Sequence, residues 1–331
     1  VQDDKNIFYL LSNTGKVLWK RQLPEKIISN IYQVDFYQND KLQMIFNSAT
    51  HLYMVDRLGN ITSGYPIRLS STASTGLSVF DYEHDKNYRI FIPCVNKAVY
   101  GYQVTGKPLE GWAPKTNIGL VKQPVQYLRI EGKDYLVISN DEGTVYIFNR
   151  KGQTIKELKA LEKAKFLNPF VADETNKAGE TQFVTTNTNG TVQRYYLNGN
   201  VGTRKLGAWT ENHFFDFSNV ADGADKEYIF LDQDQLAVYS KKDSALVYSY
   251  EFLNNMTLHP QCIPLDSAKN LVGVTATATN QVFAFDDNGK IVRGFPLKGS
   301  TPFTISNFRN DGRNYLIVGS SDTYLYVYGL D

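Results

Sequence analysis

One phrase recurs along the 331 residues: an aromatic-rich strand, a turn that closes on glycine, and a second strand. The copies are Tyr9–Gly15, Tyr53–Gly59, Tyr100–Gly106, Tyr146–Gly152, Gln193–Gly199 and Phe283–Gly289; a weaker copy, Ala237–Asp243, has Asp in place of the glycine. The turn positions 15, 59, 106, 152, 199, 243 and 289 are spaced by 44, 47, 46, 47, 44 and 46 residues. A unit of this size cannot bury a sheet face alone, so it must stack on copies of itself. Repeats of about 40–50 residues that hold four strands are the blades of a propeller.

The last full unit shows the four strands most clearly. Lys290–Arg293, Phe303–Ser306, Tyr315–Val318 and Tyr324–Tyr328 are separated by turn-forming residues, and the last of them alternates aromatic and aliphatic side chains. Turns such as Asn140–Gly143 and Asn187–Gly190 carry the Asn and Gly that tight hairpins need. Ile155–Lys165 has a helix-like composition, but its counterparts in other units are strands, and it reads as an outer strand. Ile7–Leu11 and Lys16–Trp19 match the third and fourth strands of a unit, while the chain's last residues match a first, second and third. The expectation is therefore an all-β, seven-bladed propeller of four-stranded blades spanning residues 1–331 as one domain, closed by the N-terminal strands joining the last blade.

Composition narrows the partners. Lys plus Arg number 35 against 34 Asp plus Glu, a net charge of +1, which argues against nucleic acid or an anionic membrane as the principal partner. No apolar run of about 18 residues is present, so no membrane-spanning segment is expected. The first residue is Val, and the chain reads as a mature or trimmed segment, with an extracytoplasmic location expected. Cys94 and Cys262 fall in non-adjacent units, so no disulfide is expected between them.

Asn13-Thr-Gly15-Lys-Val-Leu-Trp19 resembles the quinoprotein-type repeat. Asp56–Gly59 followed by Gly64-Tyr-Pro66, and Asp286–Gly289 followed by Gly294-Phe-Pro296, resemble FG-GAP repeats. The resemblance covers nearly the whole chain and implies a propeller used as an interaction module. It departs from the calcium-binding form of FG-GAP loops, whose Asp-x-Asp-x-Asp-Gly becomes Asn307–Gly312 with one carboxylate, Asp81–Asp85, and Asn219–Gly223. Calcium takes six to eight oxygens with several carboxylates, so no metal is expected. Trp stands at the quinoprotein spacing only once, and no cofactor is expected.

Linear catalytic motifs are missing: the four histidines, His51, His84, His213 and His259, form no metal spacing, and there is no nucleophile elbow or phosphate loop. One phase stands out when the units are stacked. The residues just before each innermost strand are Asn30, Thr75, Gln123, Asn168, Asn212, His259 and Thr301, all polar, with Pro following at four of them. In a propeller they would gather at one mouth of the central channel, either capping the turns into the strands or contacting a ligand. Tyr65, Trp112 and Phe295 share a second phase, which reads as packing between blades. The function expected is a non-enzymatic binding or scaffolding propeller with a protein partner, in a larger extracytoplasmic protein or assembly. The alternatives are a polysaccharide-acting hydrolase or lyase with its site at the channel mouth, and a carbohydrate-binding module.

Overall fold

A computed structural model describes residues 1–113, 115–220, 226–264 and 270–330. Strands β1 (Ile7–Leu11) and β2 (Val17–Gln22) form a two-stranded antiparallel sheet. Seven sheets then follow the repeat. The first is β3 (Tyr32–Val34), β4 (Gln43–Asn47), β5 (His51–Val55) and β6 (Ile67–Arg68); the second is β7 (Ser78–Phe80), β8 (Arg89–Pro93) and β9 (Val99–Gln103). The third is β10 (Gln126–Ile130), β11 (Lys133–Ser139), β12 (Val145–Phe148) and β13 (Thr154–Leu158); the fourth is β14 (Val171–Asp173), β15 (Gln182–Thr186), β16 (Thr191–Tyr196) and β17 (Val201–Lys205). The fifth is β18 (Phe214–Ser218), β19 (Glu227–Asp232), β20 (Gln235–Ser240) and β21 (Leu246–Glu251). The sixth is β22 (Gln261–Pro264), β23 (Asn270–Ala276), β24 (Gln281–Phe285) and β25 (Leu297–Lys298), and the seventh is β26 (Phe303–Ser306), β27 (Asn314–Gly319) and β28 (Leu325–Leu330). The fold is a seven-bladed all-β propeller. In every sheet the innermost strand starts two or three residues after the polar residue that the sequence placed before it, and of the expected outer strand Ile155–Lys165 residues 155–158 lie in β13 while 159–165 are not strand.

Five of the seven sheets are four-stranded. In the second, the segment after β9 meets it through isolated bridges, Tyr102 with Pro108 and Val99 with Lys115, and through Trp112 Nε1, which donates to the Val99 carbonyl. The strands at the two ends of the chain stand as a two-stranded and a three-stranded sheet, where the sequence suggested one shared blade.

The repeat glycine has a conformational reason. Gly15, Gly59, Gly106, Gly152, Gly199 and Gly289 all have φ between 70° and 110°, the left-handed region that glycine enters without strain. At three of the six an Asp or Asn three residues earlier completes the turn: Asp56 Oδ1 accepts from the N–H groups of Leu58 and Asn60, Asn149 Oδ1 from Lys151 and Gln153, and Asp286 Oδ1 from Asn288 and Lys290. The copy lacking glycine has a longer turn, with the left-handed position moved to Ser244 (φ 65°).

The chain divides into two compact units. One comprises Val1–Lys165, Glu174–Gln182 and Tyr195–Val201; the other Phe166–Asp173, Phe183–Arg194 and Gly202–Asp331. Inside each, successive sheets pack face to face, so central strands are covered on both sides and read as continuous apolar runs: β19 is buried from Glu227 to Asp232, whereas the outer β2 and β13 alternate with solvent. In the first unit, Leu52, Met54, Ile90 and Ile92 join the first sheet to the second, and Phe91, Trp112, Leu136 and Phe148 join the second to the third. In the other, Val192, Phe215 and Phe230 share one cluster, and Val238, Val272 and Phe285 another. Tyr65 and Trp112 are buried in these packings, as the sequence suggested: the Tyr65 hydroxyl donates to the Val104 carbonyl, and the Trp112 ring lies 4.8 Å from Phe91 and 6.0 Å from Phe148.

Candidate functional site

The antiparallel order puts the lead-in to each innermost strand at one end of its sheet, together with the turn between the second and third strands. The other two turns lie at the far end. The seven polar residues sit on the lead-in segments, but they do not share one environment. Asn30, Asn212, His259 and Thr301 are exposed, Thr75 and Gln123 are half-buried, and Asn168 is buried.

Asn168 joins the fourth and fifth sheets. Its Nδ2 donates to Thr186 Oγ1 (3.0 Å) and to the His213 carbonyl (3.0 Å), and its Oδ1 accepts from the Phe215 N–H (3.0 Å). His213, which sequence reasoning left unassigned, completes the joint. Its Nδ1 lies 2.6 Å from the Thr210 carbonyl and its Nε2 2.8 Å from Thr186 Oγ1. A carbonyl can only accept, so Nδ1 carries the proton and Nε2 accepts from the threonine hydroxyl. Thr210 is fixed in turn by Asp232, which accepts from its N–H and its hydroxyl, each at 2.6 Å. Burial lowers the His213 pKa and keeps the ring neutral.

The same device recurs elsewhere with other residues. Gln261 exchanges two hydrogen bonds with the Phe303 backbone, donating at 2.9 Å and accepting at 3.1 Å. Thr301 accepts from the Gly319 N–H, and its carbonyl accepts from Thr275. In the other unit, Asn47 Oδ1 accepts from the Leu77 N–H, and Ser74 and Ser78 donate to the carbonyls of Val121 and Val125. Sequence reasoning missed Asn47, Thr186 and Asp232. A signal was present, because second strands end on polar residues at Asn47, Ser139, Thr186 and Asp232.

Above this hydrogen-bonded layer the fifth and sixth lead-ins reach solvent. His259 stays exposed, yet Phe214 lies 4.5 Å from its ring, and the loss of water lowers its pKa. On the same segment, Phe252 and Met256 are buried, and their N–H groups donate to the carbonyls of Asp234 (2.7 Å) and Gln233 (2.6 Å). Held between these anchors, Leu253 is 100% exposed. Cys94 and Cys262 are free thiols whose pKa values burial pushes up to about 12 and about 11. Both stay protonated at neutral pH and are poor nucleophiles.

The far-end loops that resemble calcium-binding ones use their carboxylates internally. Lys86 Nζ lies 2.7 Å from both Asp35 Oδ2 and Asp40 Oδ1, and this ammonium holds the Asp35 carboxyl down at about 2. Asp81 accepts from the N–H groups of Asp85 and Lys86, and Asp311 from the Arg313 N–H and the Tyr315 hydroxyl. Asp222 and Gly223 lie outside the described residues. No group of three His, Cys, Asp or Glu side chains arranged to hold a metal occurs among the described residues. No helix among them is long and apolar enough to cross a membrane.

A seven-bladed β-propeller with hydrogen-bonded lead-ins is thus the class that the chain defines. Among solved structures, it is similar to BamB from Moraxella catarrhalis, with a TM-score of 0.63 and 12% identity over 99% of this chain and 92% of that one. It is also similar to BBS1N in complex with ARL6DN, in structures soaked with lead and with mercury. Those two give TM-scores of 0.60 and 0.61 at 10% identity, covering 92% and 93% of this chain and 93% of each of those. At such identity the likeness is one of fold. No family model matches the chain, and no curated protein matches it in sequence.

Proposed function

We propose that this propeller is a non-enzymatic binding module that recognises a protein through its lead-in segments. The observation that carries the reading is the rigid display of Leu253. A fully exposed leucine costs solubility, and here the residues on both sides are anchored so that it cannot fold inward. Large apolar side chains held out by rigid loops are what protein interfaces bury. Asn212, His259 and Thr301 supply polar groups on neighbouring lead-ins of the same unit, where Asn168 positions rather than contacts; Asn30, Thr75 and Gln123 stand on lead-ins of the other unit and are candidates there in their own right. The solved BBS1N propeller is in complex with another protein, which supports the reading by analogy of fold alone. The extracytoplasmic setting within a larger assembly rests on the resemblance to FG-GAP and quinoprotein-type repeats, and fractionation of the source cells tests it.

A photo-crosslinking amino acid at position 253, in cells that make the protein, is the decisive experiment. We expect one defined adduct from position 253 and none from position 288, an exposed far-end turn residue of the same unit. Equal labelling from both positions, or none from 253, overturns the reading.

A further inference from the structure

We propose that the far end of the third sheet carries a second binding site, a groove for an extended acidic peptide with apolar side chains. The groove measures about 640 Å³, within the range of ligand sites. Tyr135, Ile155 and Leu197 give it an apolar floor; Tyr135 and Leu197 are buried, and Ile155 is 44% exposed. Lys133, Lys151 and Lys156 stand along the rim.

The positive charge of this rim is open to a ligand, whereas other lysines are neutralised. Lys86, Lys241 and Lys298 each have a carboxylate within 3 Å. The three rim lysines have no ion pair among the described residues, and Lys156 meets only a neutral acceptor, the Asn198 carbonyl at 3.0 Å. The Arg150 guanidinium in the same groove is neutralised: its Nε lies 2.8 Å from Asp134 and its Nη1 meets Glu83. In a chain of net charge +1, this local excess is one of placement, not composition.

The distribution of charge selects the ligand. A compact phosphate is held by a free Arg fork or a nest of backbone N–H groups, and here the fork is withdrawn from solvent with its charge met by Asp134 and Glu83. Three ammonium groups spread beside an apolar floor fit carboxylates spaced along a strand-like peptide, with alternate side chains turned onto Tyr135, Ile155 and Leu197.

Fluorescence anisotropy with a labelled peptide, Glu-Asp-Phe-Glu-Leu-Asp, tests this on the full chain. Its Lys-for-acid counterpart and a single-stranded oligonucleotide serve as comparators. We expect the acidic peptide alone to bind. Binding should weaken about tenfold or more in the Lys133→Glu/Lys151→Glu double variant and in Ile155→Asp, and several-fold at high salt. In the parent protein, amide shifts on titration should map to the turn around Lys151 and to Leu197, so the test does not depend on the variants folding. No binding, undiminished binding to either variant, shifts elsewhere, or an oligonucleotide that binds as tightly as the peptide overturns the proposal.

Discussion

The two ends of these sheets are joined by opposite chemistry. At the lead-in end the joints are neutral: the amides of Asn47, Asn168 and Gln261 bond to backbone groups of the next sheet, and the Thr186 hydroxyl bonds to the His213 ring, mostly out of reach of water. At the far end they are ionic and wetter. Lys86 bridges Asp35 and Asp40, Arg150 bridges Asp134 and Glu83, and Lys241 meets Asp173 at 2.8 Å. The difference teaches where specificity of assembly is held. A buried amide with three partners tolerates one geometry, and losing it leaves each partner unsatisfied, whereas a partly exposed ion pair is screened and replaceable by water.

The comparison breaks most readily at Asn168. Asn168→Ala strands the Phe215 N–H and the His213 carbonyl, and we expect a loss of about 2–4 kcal/mol in denaturant unfolding. A loss no greater than that of Lys86→Met would show that the two ends do not differ.

The second test is acid. His213 is neutral in the fold, and its pKa there is lowered by burial, while in the unfolded chain it titrates near its ordinary value. As pH falls below about 6.5, the unfolded state takes up a proton that the folded state refuses, so stability must drop over that window. His213→Gln keeps a donor and an acceptor but cannot titrate, and it should flatten this part of the pH profile. A profile with the same slope in parent and variant would remove His213 from the explanation.

Lys86→Met sharpens the far-end half. The melting temperature should fall by less than in Asn168→Ala, and by less at 1 M salt than at low salt, because Asp40 is open to water and the buried Asp35 keeps the N–H groups of Asn39 and Asp40. A large, salt-independent drop would make this joint as rigid as the one at Asn168.

The smallest expected effect is that of calcium removal. A calcium ion bound only to the folded chain at a hundredfold excess over its Kd would add roughly 3 kcal/mol. The Asp35 and Asp40 carboxylates are already engaged by Lys86, so EDTA should leave the melting temperature unmoved within error. A drop of many degrees would mean that calcium sits elsewhere in the far-end loops.

The sequence by itself determined the number of blades, their phase and the start of every innermost strand. Those properties are local and repeated: a glycine that must take positive φ and an apolar run of strand length recur at fixed distances, in half of the glycine turns with an Asp or Asn that closes the turn, and each repeat corroborates the others. It also marked the polar phase of the lead-ins. It did not say which members of that phase face water. Asn168 and Asn212 are the same residue type at the same phase, yet one is buried and the other exposed, because only Asn168 meets Thr186 and the backbone at His213 and Phe215 from the next sheet. Nor did it find His213, Leu253 or the lysine rim beside Ile155. Those depend on what lies opposite each side chain after sheets separated by tens of residues have packed, and tertiary structure alone decides that.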